Sequence, residues 1–205
     1  MSDRIKDVRV VLASQSPRRA DVLRQLGIVP EVRPADVDEA YEEGETPREH
    51  VERLARSKAG TVFAHEGDAL VVGGDTVVVH AGNVLVKPAD EAAAVEMLVD
   101  LSGSRHQVLS GIALAWSGGV VGSVAMTTVR MRRYDRDMAE AYVATGEPMD
   151  KAGGYGIQGL GAALVDSIDG DYYAVVGFPV VAFLELLADS GFRYAFGAIT
   201  PNLLE

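Results

Sequence analysis

Residues 69–80 of this 205-residue chain read ALVVGGDTVVVH. Valines and other aliphatic residues in an unbroken run, without polar alternation, mark a strand buried on both faces, and such a strand demands a covered sheet. The run is predicted as a buried strand interrupted at Gly73-Gly74-Asp75. The loop Ala81-Gly82-Asn83 then turns it back into VLVKP as a hairpin.

The flanking segments supply cover. VRVVLAS, residues 8 to 14, is a short β-branched strand that runs through a tight polar turn into a helix. Ser16 stands there as N-cap, Pro17 at the first helical position and Gly27 as the stop. A second helix starts at Thr46, which forms a capping box with Glu49 and is followed by Pro47. Val51, Leu54, Ala55 and Lys58 share one face of it, so a lysine stands on the stripe expected to be apolar. A third helix runs from the N-cap Asp90 to Gly103, with Ala94, Met97, Leu98 and Leu101 as its core face. The strands QVLSGIALAW and VVGSVAMTTVRM follow, joined through Ser117-Gly118-Gly119. A helix from Asp135 to about Gly146 leads into the glycine-rich loop DKAGGYGIQGLGA. A last hairpin of ALVDSI and DYYAVVG about Asp169-Gly170 precedes a helix opened by Pro179, and residues 192–205 form a tail without clear pattern. Strands and helices alternate, yet at least three connections are hairpins, which implies an α/β fold with a mixed sheet. No repeat, linker or low-complexity tract divides the chain, so a single domain over 1–205 is expected.

Composition narrows the function classes. With 19 basic against 30 acidic residues the net charge is −11, which disfavours sequence-independent nucleic-acid binding, and an anionic ligand must be met by a local cluster of cations. No apolar run approaches the roughly 20 residues of a membrane span, and the N-terminal stretch lacks the apolar core of a signal peptide. The absence of cysteine excludes disulfides and thiolate metal sites and fits a cytoplasmic protein.

Such a cluster is foreshadowed in SQSPRR. Arg18 and Arg19 fall in the first turn of a helix, where the backbone already carries about half a positive charge. Solvation, or packing of the Arg19 stem, would explain them singly. An anion site would explain them together with the free N–H groups of the helix start and the hydroxyls of Ser14 and Ser16. Asp75, within a run of valines, is either an exposed residue at a bulge or a functional carboxylate, because an unpaired buried one is costly. Pairing His80 with Val84 across a three-residue loop would set Lys87 opposite Val77, diagonal to Asp75 and on its face. Lys58 either snorkels to solvent or joins the same site. The acidic string DVDEAYEEGE, residues 36 to 45, matches no calcium loop and reads first as a solvated segment. The glycine-rich loop lacks the Walker lysine, and the histidines at 50, 65, 80 and 106 have no ligand spacing and are expected at the surface.

Taken in order, LASQSPRR, DVDE, RLARSKA, GGDTVVV, LVKPAD, MLVDLSG, DKAGGYGIQGLGA and YYAVVGFPV resemble the Maf family of nucleotide pyrophosphatases, from Val10 to about Leu187. The resemblance implies a fold like that of inosine triphosphate pyrophosphatases, with a long twisted mixed sheet, flanking helices and two lobes around a central cleft. It implies hydrolysis of a nucleoside triphosphate between the α and β phosphates with a divalent cation, Mg²⁺ or Mn²⁺. Asp75 matches the proton acceptor for the attacking water, or alternatively a metal ligand. Glu39 matches a carboxylate associated with the metal, while Ser14, Ser16, Arg18, Arg19, Lys58 and Lys87 would meet phosphate. Arg18, Thr76 and Gln158 match the residues of the dTTP/UTP branch, and a glutamine amide offers both donors and an acceptor to a pyrimidine edge. A homodimer is compatible with the resemblance. The family's link to septum formation supplies the alternative, a non-catalytic nucleotide-binding regulator of cell division.

Overall fold

The computed structural model describes residues 7–202; the outermost residues of the expected 1–205 domain lie outside them. The elements are β1 (Val10–Leu12), α1 (Pro17–Gln25), β2 (Glu31–Val32), α2 (Pro47–Phe63), β3 (Leu70–His80), β4 (Asn83–Leu85) and α3 (Glu91–Leu101). They continue with β5 (Arg105–Trp116), β6 (Gly119–Met131), α4 (Arg136–Val143), β7 (Val165–Asp169), α5 (Tyr172–Val176), α6 (Val180–Asp189), β8 (Phe192–Tyr194) and β9 (Ile199–Pro201). Seven strands form one sheet in the order β2-β1-β3-β5-β6-β7, with β4 paired to β3. Parallel pairs (β1 with β2 and with β3) and antiparallel pairs (β3 with β4, β6 with β7) make the sheet mixed, as the hairpins required.

The chain divides into two compact units. One takes in the described residues up to Asp75, Ser110–Ala125 and Gly177 onward; the other comprises Thr76–Leu109 and Met126–Val176. In the first, small and β-branched side chains, among them Val11, Ala13, Ala55, Ala59, Val71, Ala113 and Ala115, form one buried cluster, and large ones such as Leu23, Phe178 and Phe183 are fully buried as well. The core of the second includes Leu98, Leu101, Met131, Tyr142, Tyr155 and Leu164.

The small residues of the first core allow α2 to lie close on the sheet. A Cβ at Gly73 of β3 would collide with the Ala55 carbonyl oxygen of α2, and one at Gly111 of β5 with the Val51 carbonyl oxygen. Arg48 and Arg56 extend the contact by donating to the Val124 and Val120 carbonyls of β6 at 3.2 and 3.0 Å. The Gly-Gly pair therefore does not interrupt β3, which runs unbroken from Leu70 to His80. Its glycines leave room for a helix backbone rather than a bend.

Four other expectations are corrected. The hairpin after β3 closes through two residues, Ala81 and Gly82, with φ of 48° and 81°, and pairs His80 with Asn83. Positive φ at both turn residues matches the strand twist, so the register slips by one from the expected pairing with Val84. DYYAVVG supplies the short helix α5 instead of a hairpin strand, with the Asp171 carboxylate accepting from the Tyr173 N–H at 2.8 Å where the helix begins. The tail is patterned: β8 and β9 pair antiparallel about Phe196, at φ 44°, and Gly197. The helix after Asp135 ends at Val143, short of Gly146, which takes a left-handed turn at φ 75°.

Candidate active site

Seven of the expected residues lie in the first unit, where local rules position them. Ser14 follows β1, and its hydroxyl accepts from the Ser16 N–H at 3.2 Å and from Arg19 Nη1 at 3.0 Å. Ser16 is the N-cap of α1, yet its own side chain makes no capping bond, so the helix start keeps donor capacity. Arg19 turns inward. Its Nε donates to the Gly177 carbonyl at 2.9 Å, and a Cβ at Gly74 would come within 3.2 Å of that nitrogen. The second glycine of the pair thus makes room for an arginine, as the first does for a helix.

Burial pushes the Arg19 guanidinium below its ordinary range; the charges of Asp75 and Glu39 oppose that shift and the neighbouring Arg18 adds to it. Arg19 therefore stands within electrostatic reach of two carboxylates and of Arg18. Those carboxylates are joined by a lysine. Lys58 Nζ lies 2.6 Å from Glu39 Oε1 and 2.8 Å from Asp75 Oδ1. The Lys58 side chain is 10% exposed and that of Asp75 14%, whereas Glu39 reaches in from a loop at 62%. Lys58 does not snorkel to solvent. It occupies the apolar face of α2 because its charge is met there by both carboxylates.

Residues 9–190 of the chain match the family described as Maf-like protein. The chain belongs to the Maf family. Among its relatives, the dTTP/UTP pyrophosphatase of Symbiobacterium thermophilum is 48% identical over 184 residues, covering 90% of this chain and 95% of that protein. The dTTP/UTP pyrophosphatase of Moorella thermoacetica is 49% identical over 185 residues, covering 89% and 95%, and that of Colwellia psychrerythraea 44% over 189 residues, covering 90% and 89%.

The remaining expected site residues of this Maf chain belong to the second unit. Thr76 follows Asp75 on β3 and is half-buried. Lys87 lies two residues beyond the end of β4 and is exposed, so the expected pairing with Val77, on the face of Asp75, is not formed. A one-residue slip sends alternate side chains to the other face, and here the strand stops before Lys87 is reached. Gln158 is exposed on the glycine-rich loop. That loop is held from behind by Glu147, whose carboxylate accepts from the Leu160 and Gly161 N–H groups at 2.8 and 3.1 Å and from the Tyr142 hydroxyl at 2.8 Å. Burial works to raise the Glu147 pKa, but these donors and Lys151 outweigh it and leave it lowered. Its other anchor is Tyr155, whose hydroxyl meets His106 Nε2 at 2.7 Å.

Two histidines are not at the surface. His106 is 2% exposed and His50 4%. Nor is the acidic segment wholly solvated, for the Glu45 side chain is 6% exposed. The sequence reading missed Glu45, His50 and Arg53. Their signal was present: His50 and Arg53 are three apart on α2, and Glu45 immediately precedes its N-cap.

Proposed function

We propose that this chain hydrolyses dTTP and UTP to the nucleoside monophosphate and pyrophosphate. The observation that carries the reading is Lys58 seated between Glu39 and Asp75, with Ser14 and Arg19 beside them. The names of the relatives, which span nine-tenths of the chain, support the substrate class.

In this reading the triphosphate is met by Ser14, Arg18, Arg19 and Lys58, and by the N–H groups of the α1 start. A water oxygen bonds to the α-phosphorus, the bond from that phosphorus to the bridging oxygen breaks, and its electron pair leaves with pyrophosphate. Asp75 accepts the water's proton. Lys58 fixes the Asp75 oxygen through a charge-assisted bond, so the acceptor needs little reorganisation when the nucleophile arrives. The guanidinium of Arg19, held on one side by Gly177 and Ser14, lies where negative charge gathers on the phosphates.

The donor set fits a hard divalent cation. Glu39 and Asp75 offer carboxylate oxygens that already share one cationic atom, and among the described residues no larger group of carboxylates or imidazoles converges into a closed cage. Magnesium is typically held in this way, by one or two carboxylates with substrate phosphates completing its shell. Mg²⁺ or Mn²⁺ bound by Glu39 and Asp75 would neutralise phosphate charge. In the second unit, the Gln158 amide offers a donor and an acceptor for a thymine or uracil edge.

The test is pyrophosphate release from dTTP, UTP, CTP, 7-methyl-GTP, ITP and ATP with Mg²⁺ or Mn²⁺, beside Asp75→Asn. Turnover led by dTTP and UTP, and lost in Asp75→Asn while nucleotide binding persists, is the expected result. Strong residual turnover in that variant would remove Asp75 from the central role. Binding without turnover in the unaltered chain would favour the regulator of division.

A further inference from the structure

Glu39 is delivered by residues 33–46, which contain no helix and no strand. Something other than a backbone ladder must set where its carboxylate stands. Three side chains beside it are bonded far more fully than a solvated loop requires. Arg53 of α2 donates from Nη2 to the Ala40 carbonyl at 2.9 Å, one residue after Glu39. The same guanidinium grips Glu45, with Nε at 2.6 Å from Oε1 and Nη2 at 2.9 Å from Oε2. Glu45 Oε2 accepts further from His50 Nδ1 at 2.9 Å and from the Glu42 N–H at 3.1 Å. The Tyr41 ring lies flat on the His50 ring, with centroids 3.5 Å apart and planes within 1°.

These contacts tie residues 40, 41, 42 and 45 to α2, the helix that carries Lys58. The Arg53 bonds, burial notwithstanding, and those of His50 and Glu42 hold the Glu45 carboxyl at about 2, so it is the ionised partner of the guanidinium at any working pH. A carboxylate this enclosed is tolerated only because every oxygen is met, and removal of Arg53 would leave it uncompensated.

We infer that Glu45, His50 and Arg53 are positioning residues: by fixing the backbone at Ala40 they set the Glu39 carboxylate against Lys58 and, through it, Asp75. The inference rests on the reading of Glu39 and Asp75 given above. None of the three has to touch substrate to act. A misplacement of about 1 Å at a reacting group lowers rates on the order of 100-fold, so loosening one loop anchor should be felt strongly in kcat.

The test uses the full chain with Arg53→Ala, Arg53→Lys and the milder Glu45→Gln, each also in a Glu39→Gln background. Hydrogen exchange of residues 40–45, without nucleotide, should quicken at least about tenfold in Arg53→Ala while α2 keeps its protection. The dTTP turnover number should fall about 10- to 100-fold with a smaller change in KM, and Arg53→Lys should recover part of it. In the Glu39→Gln background the same substitutions should remove nothing further, because their effect runs through Glu39. Unchanged exchange at 40–45, or losses that multiply in full with Glu39→Gln, would overturn the inference. Should Arg53→Ala unfold α2, Glu45→Gln decides by the same readouts. A wild-type chain without turnover would sink the functional reading, and the exchange arm would still decide whether Arg53 holds the segment.

Discussion

Replacing His106 by glutamine should flatten the acid limb of this protein's stability. The imidazole is 2% exposed, its Nε2 is 2.7 Å from the Tyr155 hydroxyl, and its Nδ1 has no hydrogen-bond partner among the described residues. Burial, reinforced by the nearby His80, pushes its pKa from the ordinary 6.5 down to about 4. The unfolded chain therefore binds the His106 proton more readily than the folded one between those two values. Stability is full above pH 6.5, falls as the pH drops toward 4, and levels off below that for this group. Taking 1.4 kcal/mol per tenfold, the ring alone removes roughly 2.5 kcal/mol by about pH 4.5. Glutamine retains an amide to bond Tyr155 but does not titrate. Urea unfolding of both proteins at about pH 7.5 and pH 4.5 would measure the difference. The expectation is a wild-type loss larger than that of His106→Gln by about this amount. Parallel losses would refute the premise that the buried ring is neutral.

Two further perturbations probe one unit each. Gln158→Glu removes both amide donors, so turnover of dTTP and UTP should fall about 10-fold or more; unchanged ratios across a nucleotide panel would sink the base-reading role. Gly73→Ala drives a methyl group into the α2 backbone at Ala55 and Ala59 and should cost about 3 kcal/mol. A loss in urea of less than about 1 kcal/mol would mean that the helix can lift from the strand without strain.

Much of the site was legible because its signals are local. The capping box of Thr46 and Glu49 forms as read, with both reciprocal bonds, and Asp90 and Asp135 cap their helices through their own carboxylates. Lys58 on an apolar stripe and Asp75 among valines each violated the burial pattern, and the structure resolves both violations with one ion pair. What failed depended on a single residue of register or on distant partners. Lys87 was misplaced because Ala81 adopts a positive φ that glycine, not alanine, usually supplies. DYYAVVG has the β-branched and aromatic content of a strand, but the Asp171 side chain accepts from the Tyr173 N–H at 2.8 Å and turns the backbone into a helix. His106 carries no marker of burial, since its partner Tyr155 lies 49 positions away.

Glu39, Lys58 and Asp75 come from a loop, a helix and a strand, and the helix reaches the strand only where Gly73 and Gly111 remove two methyl groups from its path. A chain with all its secondary structure but with α2 still undocked would hold the ammonium and the two carboxylates apart as separate, hydrated charges. The candidate constellation of charges thus assembles only when α2 docks on the sheet.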